Sequence, residues 1–235
     1  MNTAIVIPIY KSEIEESEYN SLVQCKSILS KYPIIFIHPE GLDLVTYKKE
    51  LLNASFEVFP SNYFKDISGY NKLLLSPLFY RRFKFEFILI YQLDAWIFED
   101  KLKEWCEKKF DYIGAPYTLE PSIAENCMDL KPGQFVINGG LSLRNTKACL
   151  RVSRIFHLFF RSYTGNEDAY FSGCFSRFFF VKYLIKLPNF KTALSFSMEK
   201  DPKSFYKLNN SNLPFGCHAF KKYDFNFWKK HGLNA

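Results

Sequence analysis

Short apolar runs recur along the first half of this chain with a helical pattern between each pair, and that alternation constrains the fold more than any other feature. AIVIPIY (Ala4 to Tyr10) reads as a buried strand. Tyr19, Leu22, Val23, Lys26 and Leu29 then fall at helical spacing, and Pro33 ends that helix. IIFI (Ile34 to Ile37) is a second strand closed by HPEG, and a short helix over Leu44 to Leu52 leads to a third strand, FEVFP. The next helix opens at Ser68 or Gly69 and continues through NKLLLSPLFYRRF with a kink at Pro77. FEFILIY is near-continuously apolar, as a strand covered on both faces must be. A helix over Asp100 to Lys109 has acid in its first turn, Lys108 and Lys109 in its last, and an inner stripe of Leu102, Trp105 and Cys106. DYIGAP follows as a strand and turn.

Strands alternating with helices predict an α/β fold with an open, mostly parallel central sheet flanked by helices. The later half is less regular: FVINGGLSLRN, a helix over Lys147 to Phe160, NEDAYFSGCFSRF, a strand TALSFSME, and a tail carrying PFGCHAF. With no repeat, linker or composition break, the 235 residues read as one domain spanning 1–235. Ordinary apolar and charged fractions, 48% and 23%, argue against disorder.

Several function classes fall away. Six scattered cysteines (Cys25, Cys106, Cys127, Cys149, Cys174, Cys217) form neither a zinc spacing nor a disulfide framework. MNTAIVIPIYKSE is not a secretory signal, and no apolar run is long enough to span a bilayer, so a cytoplasmic protein is expected. A net charge of +7 attracts anions, but the 31 Lys and Arg are dispersed and no nucleic-acid motif accompanies them. No GxxxxGK[ST] loop supports a P-loop enzyme.

Four segments carry candidate chemistry. Gln92-Leu93-Asp94 follows the fourth strand, where ligands of such sheets bind. A carboxylate there suits a divalent cation held jointly with phosphates, or caps a turn, or pairs with Lys or Arg. Asn138-Gly139-Gly140 within a strand marks close approach to a ligand, or a bulge. Glu167-Asp168 before a helical stretch is a general base at a helix start, or an N-terminal cap. His218, one of four histidines, lies in a glycine-containing turn and is a ligand or a hydrogen-bonded structural residue.

Taken in order, YQLDAW, NGGLSLRN, NEDAYFS, FSME and FGCHAF resemble a family of bacterial and fungal GT-A-like glycosyltransferases catalogued chiefly as an uncharacterised domain. The resemblance extends from AIVIPIY to FGCHAF. It implies a nucleotide-binding N-terminal half and an acceptor-binding C-terminal half. It implies that Asp94 and His218 hold Mn2+ or Mg2+ on the donor diphosphate, with Gln92 where many relatives have a first Asp. Asn138, Gly139 and Gly140 would line the sugar pocket, and Pro8, Tyr10 and Lys72 join the donor-binding set. Asp168 matches the base of inverting enzymes, with Glu167 orienting a sugar or raising its neighbour's basicity.

The implied activity is transfer of a sugar from a nucleotide-sugar donor to a hydroxyl of a glycan or lipid-linked glycan at a bacterial surface. A nucleotide-sugar or glycan binding module without turnover, and a nucleotidyl or phosphoryl transferase, are the alternatives. Clusters such as FHLFFRSY and FSRFFFVKYLIK mix aromatics with Arg and Lys, as a surface touching anionic membrane at its inner face does. Core packing explains the same residues.

Overall fold

The computed structural model describes residues 2–117, 135–159, 163, 165–174 and 184–235. Its first half follows the alternation: β1 (Thr3–Pro8), α1 (Glu16–Ile28), β2 (Ile34–Pro39), α2 (Val45–Glu50), β3 (Ser55–Phe59), α3 (Ile67–Leu74), α4 (Pro77–Arg81) and β4 (Phe87–Tyr91). After β5 (Trp96–Ile97) and α5 (Leu102–Glu107) come β6 (Tyr112–Tyr117), β7 (Val136–Asn145) and α6 (Thr146–Phe159). A short α7 (Glu167–Ala169) runs into a π-turn at Tyr170–Cys174. The chain closes with α8 (Phe190–Phe196), β8 (Ser197–Met198), α9 (Pro202–Leu208), β9 (Gly216–Cys217) and α10 (Phe225–Lys230).

Six strands form one sheet in the order β3-β2-β1-β4-β7-β6, and β5-β9-β8 form a smaller one. β1, β2, β3 and β4 are mutually parallel, whereas β7 runs antiparallel to both β4 and β6. β1 is central, and alternate residues serve opposite faces. Ile5 and Ile7 pack with Leu22, Cys25, Leu102 and Trp105 beneath α1 and α5. Ala4 and Val6 pack with Leu73, Leu74, Phe79, Val152 and Phe171 on the other side. Covering both faces is what a strand without polar alternation requires. A third cluster, including Trp96, Met198, Cys217, Phe220 and Trp228, surrounds the small sheet.

Three expectations change. Pro77 does not kink one helix: Ser76 accepts the Leu78 N–H and Pro77 occupies the first turn of a separate helix, α4, where its missing N–H costs nothing. TALSFSME is not a strand: Asn189 accepts the Thr192 N–H, a helical cap, so Phe190–Phe196 coil and only Ser197–Met198 extend. The helix expected over Asp100 to Lys109 is shorter, because Asp100 pairs with Lys31 at 2.6 Å and Lys109 adopts φ 53° past its end. Cys25, Cys106, Cys149 and Cys217 are buried free thiols, and Cys127 lies outside the described residues. Among the described residues no helix is long and apolar enough to cross a membrane.

Candidate active site

Strand pairing brings together residues far apart in sequence. Beyond β4 the Gln92 N–H donates to the Gly140 carbonyl at 3.0 Å, and a turn closed by the Ala95 N–H on the Gln92 carbonyl (2.9 Å) carries Asp94. The chain re-enters as β5, which pairs antiparallel with β9 in the register Trp96 to Cys217. β9 leads directly into His218, whose N–H donates to the Met198 carbonyl at 3.0 Å, and β8 leads directly into Glu199. As a result His218 Nε2 lies 3.1 Å from Gln92 Oε1 and 3.2 Å from Asp94 Oδ1, with Nδ1 3.4 Å from Glu199 Oε2.

A second polar centre adjoins the first. Arg144 on β7 is fully buried, and all five of its N–H groups have partners. Nε donates to Ser142 Oγ (2.9 Å), Nη1 to the Tyr80 hydroxyl (3.1 Å) and Glu167 Oε2 (3.3 Å), and Nη2 to the Gly139 carbonyl (3.2 Å) and Glu167 Oε1 (2.9 Å). The guanidinium also lies over the Tyr112 ring, 4.8 Å from its centroid. Asn71 of α3 accepts the Glu167 N–H at 3.1 Å, so the start of α7 is tied to two elements.

The two adjacent glycines separate these centres. Neither needs a left-handed backbone, and what each supplies is space. A Cβ at Gly139 would overlap the Glu167 carboxylate and Arg144, and one at Gly140 would overlap the His218 ring. They sit where β7 and β6 slip out of register around Gly114 and Pro116, so the bulge is present as well. Asn138 turns back on its own strand, accepting the Gly140 N–H at 2.8 Å.

Charge in this region is out of balance. Arg144 answers Glu167, and His218 stands between Asp94 and Glu199, while Asp168 has no cation at ion-pair distance among the described residues. Burial disfavours the His218 cation, yet Asp94 and Glu199 outweigh it and push its pKa up to about 10. Burial works against Asp94 as well, but His218 holds its pKa below the usual carboxylate range. Asp168 has no such partner: burial, then the Glu167 charge, lift its pKa to about 7. Its Oδ1 accepts the Ala169 N–H at 2.6 Å, the local bond a helix-start carboxylate makes.

Beside these centres, a cleft of about 420 Å³ opens where β1 and β4 end. Pro8, Tyr10, Gln92 and Asp94 line it, joined by Lys11, Phe64, Asp66 and Tyr70. Asn138, Gly139, Gly140, Glu167, Asp168 and His218 are not among its lining residues. Lys72 is exposed on α3, away from the cleft wall. Lys11, which the sequence reading did not single out, stands at the cleft paired with Glu15 (2.8 Å) and Glu18 (3.2 Å).

A cation fits the donor set. His218 Nε2, Gln92 Oε1 and Asp94 Oδ1 converge, spaced 3.1 and 3.2 Å, slightly wider than the ~2.8–3.0 Å between neighbouring octahedral ligands at roughly 2.0–2.1 Å, and ligation would displace the His218 Nε2 proton. Asp94 Oδ1 is buried without a hydrogen-bond partner. The carboxylate and amide oxygens suit Mn2+ or Mg2+, whereas the imidazole is a donor that softer ions also favour. Among the described residues no three His, Cys, Asp or Glu side chains are arranged to hold an ion alone, so such a site needs further oxygens from a ligand.

Arg144, Glu199 and Tyr70 were not assigned roles from sequence. Arg144 had a signal: a charged residue inside an otherwise buried strand next to two glycines. Glu199 ended the FSME motif. Tyr70 stood in a helical run with nothing to separate it from core aromatics.

The sequence matches, over residues 53–218, the family described as "Protein of unknown function (DUF5672)". The match is narrower than the resemblance drawn above, beginning after the first two strands and ending on His218. None of the curated proteins matches. Among solved structures, the galactosyltransferase LgtC, in complex with donor and acceptor sugar analogs, is 12% identical with a TM-score of 0.56, covering 92% of this chain and 86% of that one. Mouse xyloside xylosyltransferase 1 gives 12% identity and a TM-score of 0.56, covering 93% and 97%. The glycosyltransferase GlyE of Streptococcus pneumoniae gives 10% and 0.52, covering 93% of this chain and 54% of that one. At these identities the likeness is one of fold: an α/β architecture of the GT-A glycosyltransferase type.

Proposed function

The chain belongs to the DUF5672 family, and from that premise we propose that it is a glycosyltransferase moving a sugar from a nucleotide-sugar donor to an acceptor hydroxyl. The observation that carries this reading is the convergence of Asp94, Gln92 and His218 beside a cleft at the C-terminal ends of β1 and β4. The GT-A fold supports it. The acceptor we propose is a glycan or lipid-linked glycan of a bacterial surface, and the chemistry is inverting.

Asp94, His218 and Gln92 would hold Mn2+ or Mg2+. Bound there, the ion supplies Lewis-acid stabilisation of the charge that develops on the departing diphosphate. Pro8 and Tyr10, which line the cleft, would bound the nucleotide. Asp168 accepts the acceptor's proton, and its raised proton affinity suits a base working near neutral pH. Glu167 acts on it through charge alone, since its own carboxylate is occupied by Arg144. Peripheral contact with anionic membrane belongs to the same proposal. In its aromatic clusters Phe156 is core, Leu158 and Phe159 are exposed, and residues 160–162 and 175–183 lie outside the described residues.

The test is release of nucleoside diphosphate from a panel of nucleotide sugars, with and without Mn2+ or Mg2+ and with candidate acceptors. Release that requires cation and rises with an acceptor is expected, and nucleotide binding without any release would overturn the transferase reading. Asp168→Asn is expected to keep donor binding and to slow turnover by roughly 10²–10⁴-fold. Full turnover in that variant would remove Asp168 as the base.

A further inference from the structure

Two buried polar atoms that lack a hydrogen-bond partner belong, among the described residues, to residues lining the cleft: Asp94 Oδ1 and the Tyr70 hydroxyl. The first has a role in the reading above. The second has none. A buried hydroxyl gives up its bonds to water, and leaving it unmatched is unfavourable unless another group completes it. Tyr70 lies beside the Gln92 amide, whose N–H is directed at the phenol oxygen, and within electrostatic reach of Asp94, Glu167 and Arg144, but its own O–H finds no acceptor among the described residues.

Its position is not slack. Asp66 caps α3 by accepting the Gly69 N–H at 2.7 Å. Gly69 rests so closely on the backbone of Asn62 and Tyr63 that no side chain fits there. Leu73 and Leu74 anchor the helix in the core, and Asn71 binds both Asn166 and the start of α7. The ring is therefore carried on a helix fixed at several points, in the wall of the cleft.

We propose that the Tyr70 hydroxyl is a donor-binding group that donates a hydrogen bond to an oxygen of the diphosphate of the bound nucleotide. This rests on the glycosyltransferase reading and extends it to a residue outside the Asp94–His218 set. A phenol is protonated at neutral pH, so it is available as a donor. An anionic oxygen gains most from such a donor, and the side chain next to it in the cleft, Asp94, is the one assigned to the cation on the diphosphate.

Tyr70→Phe removes one oxygen and keeps the ring. If the hydroxyl is completed only by ligand, the unliganded variant will melt at the wild-type temperature or above it. Its affinity for UDP or GDP with Mn2+, read by calorimetry and by ligand-induced thermal shift, will fall roughly 10- to 100-fold. Affinity for the matching nucleoside, which has no phosphate, will be unchanged. Equal diphosphate binding by variant and wild type would overturn the assignment, as would a clearly lowered melting temperature without ligand, which would mark the hydroxyl as structural. If the wild type binds no nucleotide at all, the nucleotide-binding reading itself falls and this assignment falls with it.

Discussion

The Arg144–Glu167 centre and the Asp94–His218 centre adjoin the same two glycines of β7, yet they treat their charges in opposite ways. Every N–H of the Arg144 guanidinium is matched and the Glu167 carboxylate is engaged at both oxygens. Around His218, Asp94 Oδ1, Glu199 Oε2 and His218 Nδ1 are buried without hydrogen bonds, at ion-pair distances only, and carboxylates outnumber cations. A completed polar network serves as framework, because nothing further can bind to it. An incomplete one costs stability and persists where a ligand completes it. The difference separates the residues that hold this site from those that use it.

Mutations can break that comparison. Arg144→Met leaves Glu167 buried and unpaired, so the largest loss of stability, about 3–5 kcal/mol, is expected there by urea denaturation, with part of it recovered in the double variant with Glu167→Gln. Asp94→Ala should do the reverse. It changes stability by less than about 1 kcal/mol, because the pair it breaks is half-exposed. It nevertheless removes about 2–3 kcal/mol of cation-dependent nucleotide binding, measured by calorimetry with and without Mn2+. If Asp94→Ala unfolds the protein as Arg144→Met does, the two centres are not distinct in kind.

Gly140→Ala sharpens the boundary, since its Cβ displaces the His218 ring. A cost of about 1–3 kcal/mol is expected, together with weaker cation-dependent binding, seen by comparing melting curves at several Mn2+ concentrations. A further difference concerns pH. Asp168 has a folded pKa of about 7 against an ordinary value of 3.8. The folded state therefore binds the extra proton between those values, and stability falls as pH rises from about 4 to 7. Asp168→Asn lacks that slope and should exceed the wild type in melting temperature at pH 8 by more than at pH 5. A constant gap would show that Asp168 is not shifted.

Much of the framework was legible in the residues themselves. Ala4 to Pro8 and Phe87 to Tyr91 are apolar without alternation, and such runs are stable only between two covering layers. The position of Asp94 at a strand end was legible for the same reason. TALSFSME misled because its apolar content suits either period, and the Asn189 cap decided it. Pro77 misled because a proline inside a helix and one that starts a second helix look alike until Ser76 is seen to cap.

Local sequence, then, determined the parallel sheet, the helices that cover it and the edge at which chemistry would sit, because hydrophobic period and capping act over a few residues. Tertiary structure alone decided that Arg144 answers Glu167, that Gly139 and Gly140 make room for charged side chains, and that the Tyr70 O–H finds no acceptor among the described residues. Those facts depend on which strands neighbour one another: β5 on β9 draws Asp94 to His218, and β4 on β7 draws Gln92 to Gly140. Contacts between residues tens to more than a hundred positions apart arise only when the chain has closed on itself, and no short window of sequence encodes them.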